Sequence, residues 1–126
     1  MARFHDAIAI VTGSCSGIGL ASAWALARAG ARVVIHSLHA ADADAAAAAL
    51  VAEGLQAIAV GAYLAAPASS ASVIADAARS RWGRIDVVVS NAGAILHKPS
   101  AELTVTEWST VFAVNVFAPF FLGAWV

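Results

Sequence analysis

Apolar residues along this chain fall into short dense runs, separated by longer stretches in which they recur every three or four positions. The runs Ala7–Thr12, Arg32–His36, Gln56–Gly61 and Ile85–Val89 have the length and branched content of strands. Between them lie segments with helical periodicity, Gly17–Ala29, Asp42–Ala52 and Ala68–Arg81. In the first of these, Leu20, Trp24 and Ala27 are spaced to form the stripe that packs on a sheet. Gly30, Gly54 and Gly83 follow the helices, where a left-handed residue ends a helix at little cost. Ala40–Ala49 is low in complexity, yet Asp42 and Asp44 near its start and Gly54 beyond its end are helix signals, so an exposed, thinly packed helix is expected. Strand and helix alternate throughout, which predicts an α/β fold with a parallel, three-layer sheet and right-handed crossovers. Ile85–Val89 is apolar on both faces, as a central strand covered by helices should be. A loop at Asn91–Ala101 leads to Thr106-Glu107-Trp108, which opens a last helix running to the C-terminus.

Composition narrows the picture. A chain of 126 residues is one domain, spanning 1–126, with room for a real core. Only 12% of residues are charged, the formal net charge is −1 and the pI is about 6.4, so there is no basic stripe for nucleic acid and none is expected as a partner. The hydrophobic fraction of 61% owes much to alanine, a helix former before it is a lipid seeker. The longest apolar run, Val111–Val126, contains Asn115 and Pro119 and falls short of the ~20 residues that cross a bilayer, so no membrane span is expected. His5 and Asp6 stand where a signal peptide would have a basic start and an apolar core, and the expected location is cytoplasmic. With a single cysteine the chain forms no internal disulfide.

The candidate chemistry begins at Ile8–Gly19, an apolar run that breaks into glycines and then into an alanine-rich segment. Glycine at 13, 17 and 19 lets the backbone turn sharply and lie against a ligand. The unpaired N–H groups of the helix start, at the positive end of its dipole, suit a phosphate or pyrophosphate, which points to a dinucleotide. A tight strand-to-helix turn would use glycines too, and the spacing Gly-x-x-x-Gly-x-Gly departs from the Gly-x-Gly-x-x-Gly of the general dinucleotide fold.

Preceded by Thr12, this spacing resembles the Thr-Gly-x-x-x-Gly-Ile-Gly motif of the short-chain dehydrogenase/reductase family. Ser90-Asn91-Ala92-Gly93 is similar to that family's Asn-Asn-Ala-Gly motif, and Val114-Asn115-Val116 to its Asn-containing helix. The resemblance implies a Rossmann-type sheet of order 3-2-1-4, here ending before the later strands, and a nicotinamide cofactor, NAD or NADP. It implies hydride transfer to or from a small alcohol or ketone. It assigns cofactor contacts to Gly13, Ser14, Cys15, Ser16, Gly17, Ile18 and Gly19 around the diphosphate, to Ser37 and Leu38 at the ribose, to Tyr63 and Leu64 at the adenine, and to Asn91, Ala92 and Gly93 at the ribose or nicotinamide. The family's proton relay implies a catalytic role for Asn115, whose main-chain carbonyl would hold a water. Pro119 lacks the N–H that this carbonyl would otherwise receive, although a kink serving packing alone would read the same.

The chain also departs from the family. Ser16 stands where an Arg or Lys often supports the extra phosphate of NADP. The end of the second strand, about 18 residues beyond Gly19, reads His36-Ser37-Leu38-His39, with no acid to select NAD and no Arg or Lys to hold a 2′-phosphate, which leaves a lean to NADP. Either histidine could help hold a phosphate or stand exposed in the loop; with no third ligand nearby, no metal is expected. Tyr63 replaces the family's Asp and could stack on adenine but not accept its amino group. Cys15 is either a reactive thiol at a helix N-terminus or a small residue that suits the turn. Asn91 has two compatible readings, a tie between neighbouring strands and a cofactor contact. The catalytic Ser and Tyr-x-x-x-Lys are missing: the only tyrosine, Tyr63, is followed by Leu64-Ala65-Ala66-Pro67. Without that acid the chain as written is expected to be inactive. Its end leaves strand four as an open edge and an all-round apolar last helix suited to a homo-oligomer, so it reads as the front half of a longer enzyme. A non-catalytic nucleotide-binding or dimerising module, or a decayed fragment, are the alternatives.

Overall fold

The computed structural model describes residues 3–126. Four strands, β1 (Ile8–Val11), β2 (Arg32–Ser37), β3 (Ala57–Gly61) and β4 (Val87–Val89), form one parallel sheet in the order β3-β2-β1-β4, as the resemblance implied. Ile8 to Val11 pair with Arg32 to Ile35 on one side, and Ala9 to Val11 with Val87 to Val89 on the other. All of β1 is buried, and at about 1.5–3 kcal/mol for each large aliphatic side chain removed from water, it is the spine of the sheet.

Side chains alternate along the strands into two cores. Ala9, Val11, Val33 and Ile35 face α1 (Gly17–Arg28) and α2 (Ala40–Ala52); Ile8, Ile10 and Val34 face α3 (Pro67–Trp82) and the last helical segment. The sheet-facing stripe of α1 is Gly19, Ala23 and Ala27, not the Leu20-Trp24-Ala27 series expected. Small residues let the helix lie close to the sheet, and Trp24 is pushed to the margin, where the Arg28 guanidinium sits 4.7 Å from its ring centre. In α2, Ala43, Ala47 and Leu50 are buried and the remaining alanines are largely exposed. The helix begins at Ala40, ahead of the expected Asp42.

Two elements differ further from expectation. β4 covers only Val87–Val89 of the expected Ile85–Val89 and is half-buried; it lies at the edge of the sheet among the described residues, the open edge expected, although its sequence is that of a covered strand. The last helix starts one residue early, at Val105, because Thr104 caps it: Thr104 Oγ1 accepts from the Glu107 N–H, and Glu107 reaches back to the Thr104 N–H. It is not continuous α-helix. It comprises α4 (Val105–Phe112), a π turn (Ala113–Phe117) and α5 (Ala118–Gly123). The widening comes just before Pro119, whose ring and missing N–H do not fit an α ladder. By length and composition the run Val105–Gly123 could cross a membrane, which the shorter stretch weighed in the sequence could not. Ala113, Ala118 and Leu122 are buried, the last two in the core that includes α3, while Trp108, Phe112, Phe117 and Phe120 are exposed.

Candidate cofactor-binding site

The carboxyl ends of β1, β2, β3 and β4 converge at the point where the strand order reverses, the place where open parallel sheets bind ligands. After β1, the chain turns through Gly13 at φ 61° and Gly17 at φ 57° into α1. Gly13 is held close: a Cβ there would come within 3.1 Å of Ala92. Gly19 is tighter still, since a Cβ would overlap the Gly13 carbonyl and the Asn91 amide. Around Gly17, by contrast, a Cβ would meet nothing within 4 Å.

Asn91 fixes this turn to β4. Its Nδ2 donates to the carbonyls of Thr12 (3.1 Å) and Gly13 (3.0 Å), while Thr12 Oγ1 accepts from the N–H groups of Asn91 and Ala92. The tying role weighed for Asn91 is thus formed, and Thr12 supplies its other half. Ser14 turns inward. It is fully buried, its hydroxyl donates to the Val11 carbonyl and accepts from the His36 N–H, and its own N–H goes to the His36 carbonyl. Nothing of Ser14's donors remains for a phosphate, contrary to the expectation.

Gly13 is committed as well, because its N–H donates to His36 Nδ1 at 3.0 Å. What remains for an anion is the helix start itself: Ser16, Gly17, Ile18 and Gly19 have N–H groups with no acceptor among the described residues, and Ser16 makes no side-chain cap. These orphan donors, the dipole behind them and the open face of Gly17 fit a pyrophosphate. Ile18 is 80% exposed beside them.

Of the other expected contacts, Gly13, Ser37, Leu38, Tyr63, Leu64, Ala92 and Gly93 line a single cleft of about 260 Å³ above the strand ends. Tyr63 is exposed at its rim and Leu64 is buried beneath it. Cys15 and Ser16 are not brought into that cleft. They face a groove between α1 and α2 with Trp24 and Asp42, and Cys15 Sγ donates to Ser37 Oγ at 3.3 Å.

Asn115 lies in the π turn, and its side chain does something the sequence did not show. Oδ1 accepts from the Ala94 N–H (2.8 Å) and Nδ2 donates to the Ala94 carbonyl (2.7 Å), pinning the segment after β4 to the last helix. His36, weighed as an exposed or phosphate-holding residue, is 2% exposed, and burial lowers its pKa below the ordinary 6.5, so it is a neutral internal ring. It shares strand parity with Val34, which packs toward α3; that alternation was the available signal. His39 caps no helix by its side chain and is exposed. No group of His, Cys, Asp or Glu among the described residues is placed to hold a metal.

A parallel sheet with a glycine turn and a helix start at its switch point is the arrangement on which open α/β proteins bind dinucleotides. The family model described as short chain dehydrogenase matches residues 7–126, and the chain belongs to that family. It is 38% identical over 125 residues to D-threitol dehydrogenase of Mycolicibacterium smegmatis, covering 95% of this chain and 46% of that protein. It is 36% identical over 122 residues to versicolorin reductase 1 of Aspergillus parasiticus, covering 96% and 46%. Among solved structures, L-sorbose reductase from Gluconobacter frateurii, complexed with NADPH and L-sorbose, superposes with a TM-score of 0.91 at 28% identity, over 100% of this chain and 48% of that one. A metagenomic short-chain oxidoreductase in complex with NADP gives 0.86 at 32% identity, over 94% and 54%. The chain spans about half the length of the relatives it matches.

Proposed function

We propose that this chain is the dinucleotide-binding portion of an NAD(P)-dependent oxidoreductase acting on a small alcohol or ketone. The observation that carries the reading is the set of unpaired N–H groups at Ser16–Gly19, opening beside a Gly17 with free space above it. When bound, the nicotinamide ring would supply hydride chemistry. This chain's own part is to hold the diphosphate on backbone donors and present the cleft formed by Ser37, Leu38, Tyr63, Ala92 and Gly93. NADP is favoured over NAD because Ser37 offers no carboxylate to repel a 2′-phosphate, and two similar structures hold NADPH or NADP.

Asn115 takes its place as the residue that sets the last helix against the segment beyond β4, next to where the family's water relay would lie. The exposed aromatic side of α4 and α5 would serve a second copy of the chain, and a cytoplasmic location goes with this reading. Tyr63 in the place of the family's Asp, and a β2 end that offers neither a carboxylate nor an Arg or Lys, favour as a second reading a module that binds the nucleotide without turning it over.

Titration of the purified chain with NADH and NADPH, followed by nicotinamide fluorescence, tests both. Saturable binding with NADPH the tighter ligand is expected. No response at millimolar cofactor would overturn both readings.

A further inference from the structure

One buried side chain joins three strand ends. His36, the penultimate residue of β2, accepts the Gly13 N–H on Nδ1 at 3.0 Å, and its Nε2 lies 2.9 Å from the Ala62 carbonyl just after β3. Since Gly13 can only donate, Nδ1 carries no proton, and the proton must sit on Nε2, where it donates to Ala62. The backbone of the same residue holds Ser14 through both its N–H and its carbonyl. The turn that precedes the orphan donors and the segment that carries Tyr63 are thereby locked to one imidazole in one tautomer.

We propose that His36 is a positioning residue for the cofactor: its neutral ring holds the glycine turn and the Ala62–Tyr63 segment in one arrangement, and cofactor affinity falls when the ring takes up a second proton. The proposal rests on the dinucleotide reading above. A proton on Nδ1 would face the Gly13 N–H donor to donor, so the bond must break and the turn must shift. From the turn the ring faces Gly13, from the segment after β3 it faces Ala62 and Tyr63, and Thr110 and Val114 of the last helix close the same cleft. No carboxylate, lysine or arginine lines that cleft to offset a charge, and Cys15 is engaged with the neighbouring Ser37. Burial accordingly holds the ring below its ordinary pKa and keeps the locking form dominant at neutrality.

The test compares NADPH affinity from pH 7.5 to 5.5 in the full 126-residue chain and in H36N, whose amide oxygen can still accept from Gly13 but does not titrate, alongside ¹⁵N NMR of the His36 ring. The wild-type ring should show the Nε2–H tautomer at pH 7.5, and affinity should fall in step with its titration, approaching about one decade per pH unit once the ring is charged. H36N should bind about threefold to tenfold more weakly at pH 7.5, having lost the bond to Ala62, and lack this slope. The 2′-phosphate of NADPH titrates at about pH 6 in both proteins alike, so the difference between their slopes belongs to residue 36. Equal slopes, or an Nδ1–H or charged ring at pH 7.5, would overturn the role while leaving the cofactor reading intact. Absence of NADPH binding at every pH, with the Nε2–H tautomer in place, would overturn the cofactor reading and this role with it. Should H36N not fold, the wild-type series is repeated with NADH, which lacks the 2′-phosphate: a loss of affinity that follows the ring titration supports the proposal, and ring titration without a parallel loss refutes it.

Discussion

Replacing Gly17 with alanine separates what the glycine turn needs in order to fold from what it needs in order to bind. Gly17 has φ 57°, a left-handed conformation that costs a residue with a Cβ about 1–2 kcal/mol. Because a Cβ there meets nothing within 4 Å, no packing penalty is added. Thermal unfolding of Gly17→Ala followed by circular dichroism should therefore show a drop of roughly 3–8 °C with the fold retained, the range expected for a chain of this size. Binding should suffer more. The methyl group would stand in front of the unpaired donors of Gly17 and Ile18, and losing even one charge-assisted bond to a phosphate costs about 1.5–3 kcal/mol, a tenfold to hundredfold rise in the Kd for NADPH. A variant that melts lower but binds NADPH within threefold of the wild type would show that the diphosphate does not lie over Gly17, and the assignment of these amides would fail.

Asn91→Leu removes the two bonds that Nδ2 makes to the Thr12 and Gly13 carbonyls, and at about 1–3 kcal/mol for stranded partly buried acceptors the melting temperature should fall by several degrees. Asn115→Ala should leave the melt almost unchanged, because Ala94 can turn to water, but speed hydrogen exchange at the Ala94 amide by about tenfold or more; unchanged exchange would mean that the side chain pins nothing. The Ile8 N–H, with help from Arg84, holds the Asp86 carboxyl below its ordinary 3.8. A depressed folded pKa means that this stabilisation is complete above about pH 4 and is lost as pH falls through the folded value, so Asp86→Asn should flatten the acid limb of the stability curve and leave its slope near neutrality unaltered.

Strand and helix positions, and the glycines at the mouth of the sheet, were readable because each is enforced locally, by alternation, periodicity or backbone geometry. The strand order came from resemblance, since no spacing of apolar residues states which parallel strands are neighbours. What the sequence concealed are contacts between residues far apart in the chain. His36 reads as a polar strand end until its parity is followed inward, and its partners Gly13 and Ala62 lie just beyond the ends of two other strands. Ser14 reads as a phosphate ligand because its neighbours do, yet its hydroxyl is spent on Val11 and His36. The amide of Asn115 acts on Ala94, 21 residues earlier, and Pro119 hinted at an irregular helix without indicating a π turn. In α1 the largest apolar residues suggested the inner stripe, whereas alanine and glycine won it because close approach to the sheet excludes bulk.

The donors at Ser16–Gly19 belong to the main chain, which every amino acid shares. Evolution can therefore spoil this part of the site through a single wrong substitution, yet has little means of retuning it. On the proposed function, discrimination between one nucleotide and another would fall to Ser37, Leu38 and Tyr63 of the neighbouring cleft, where replacing a side chain leaves the backbone donors of Ser16–Gly19 in place.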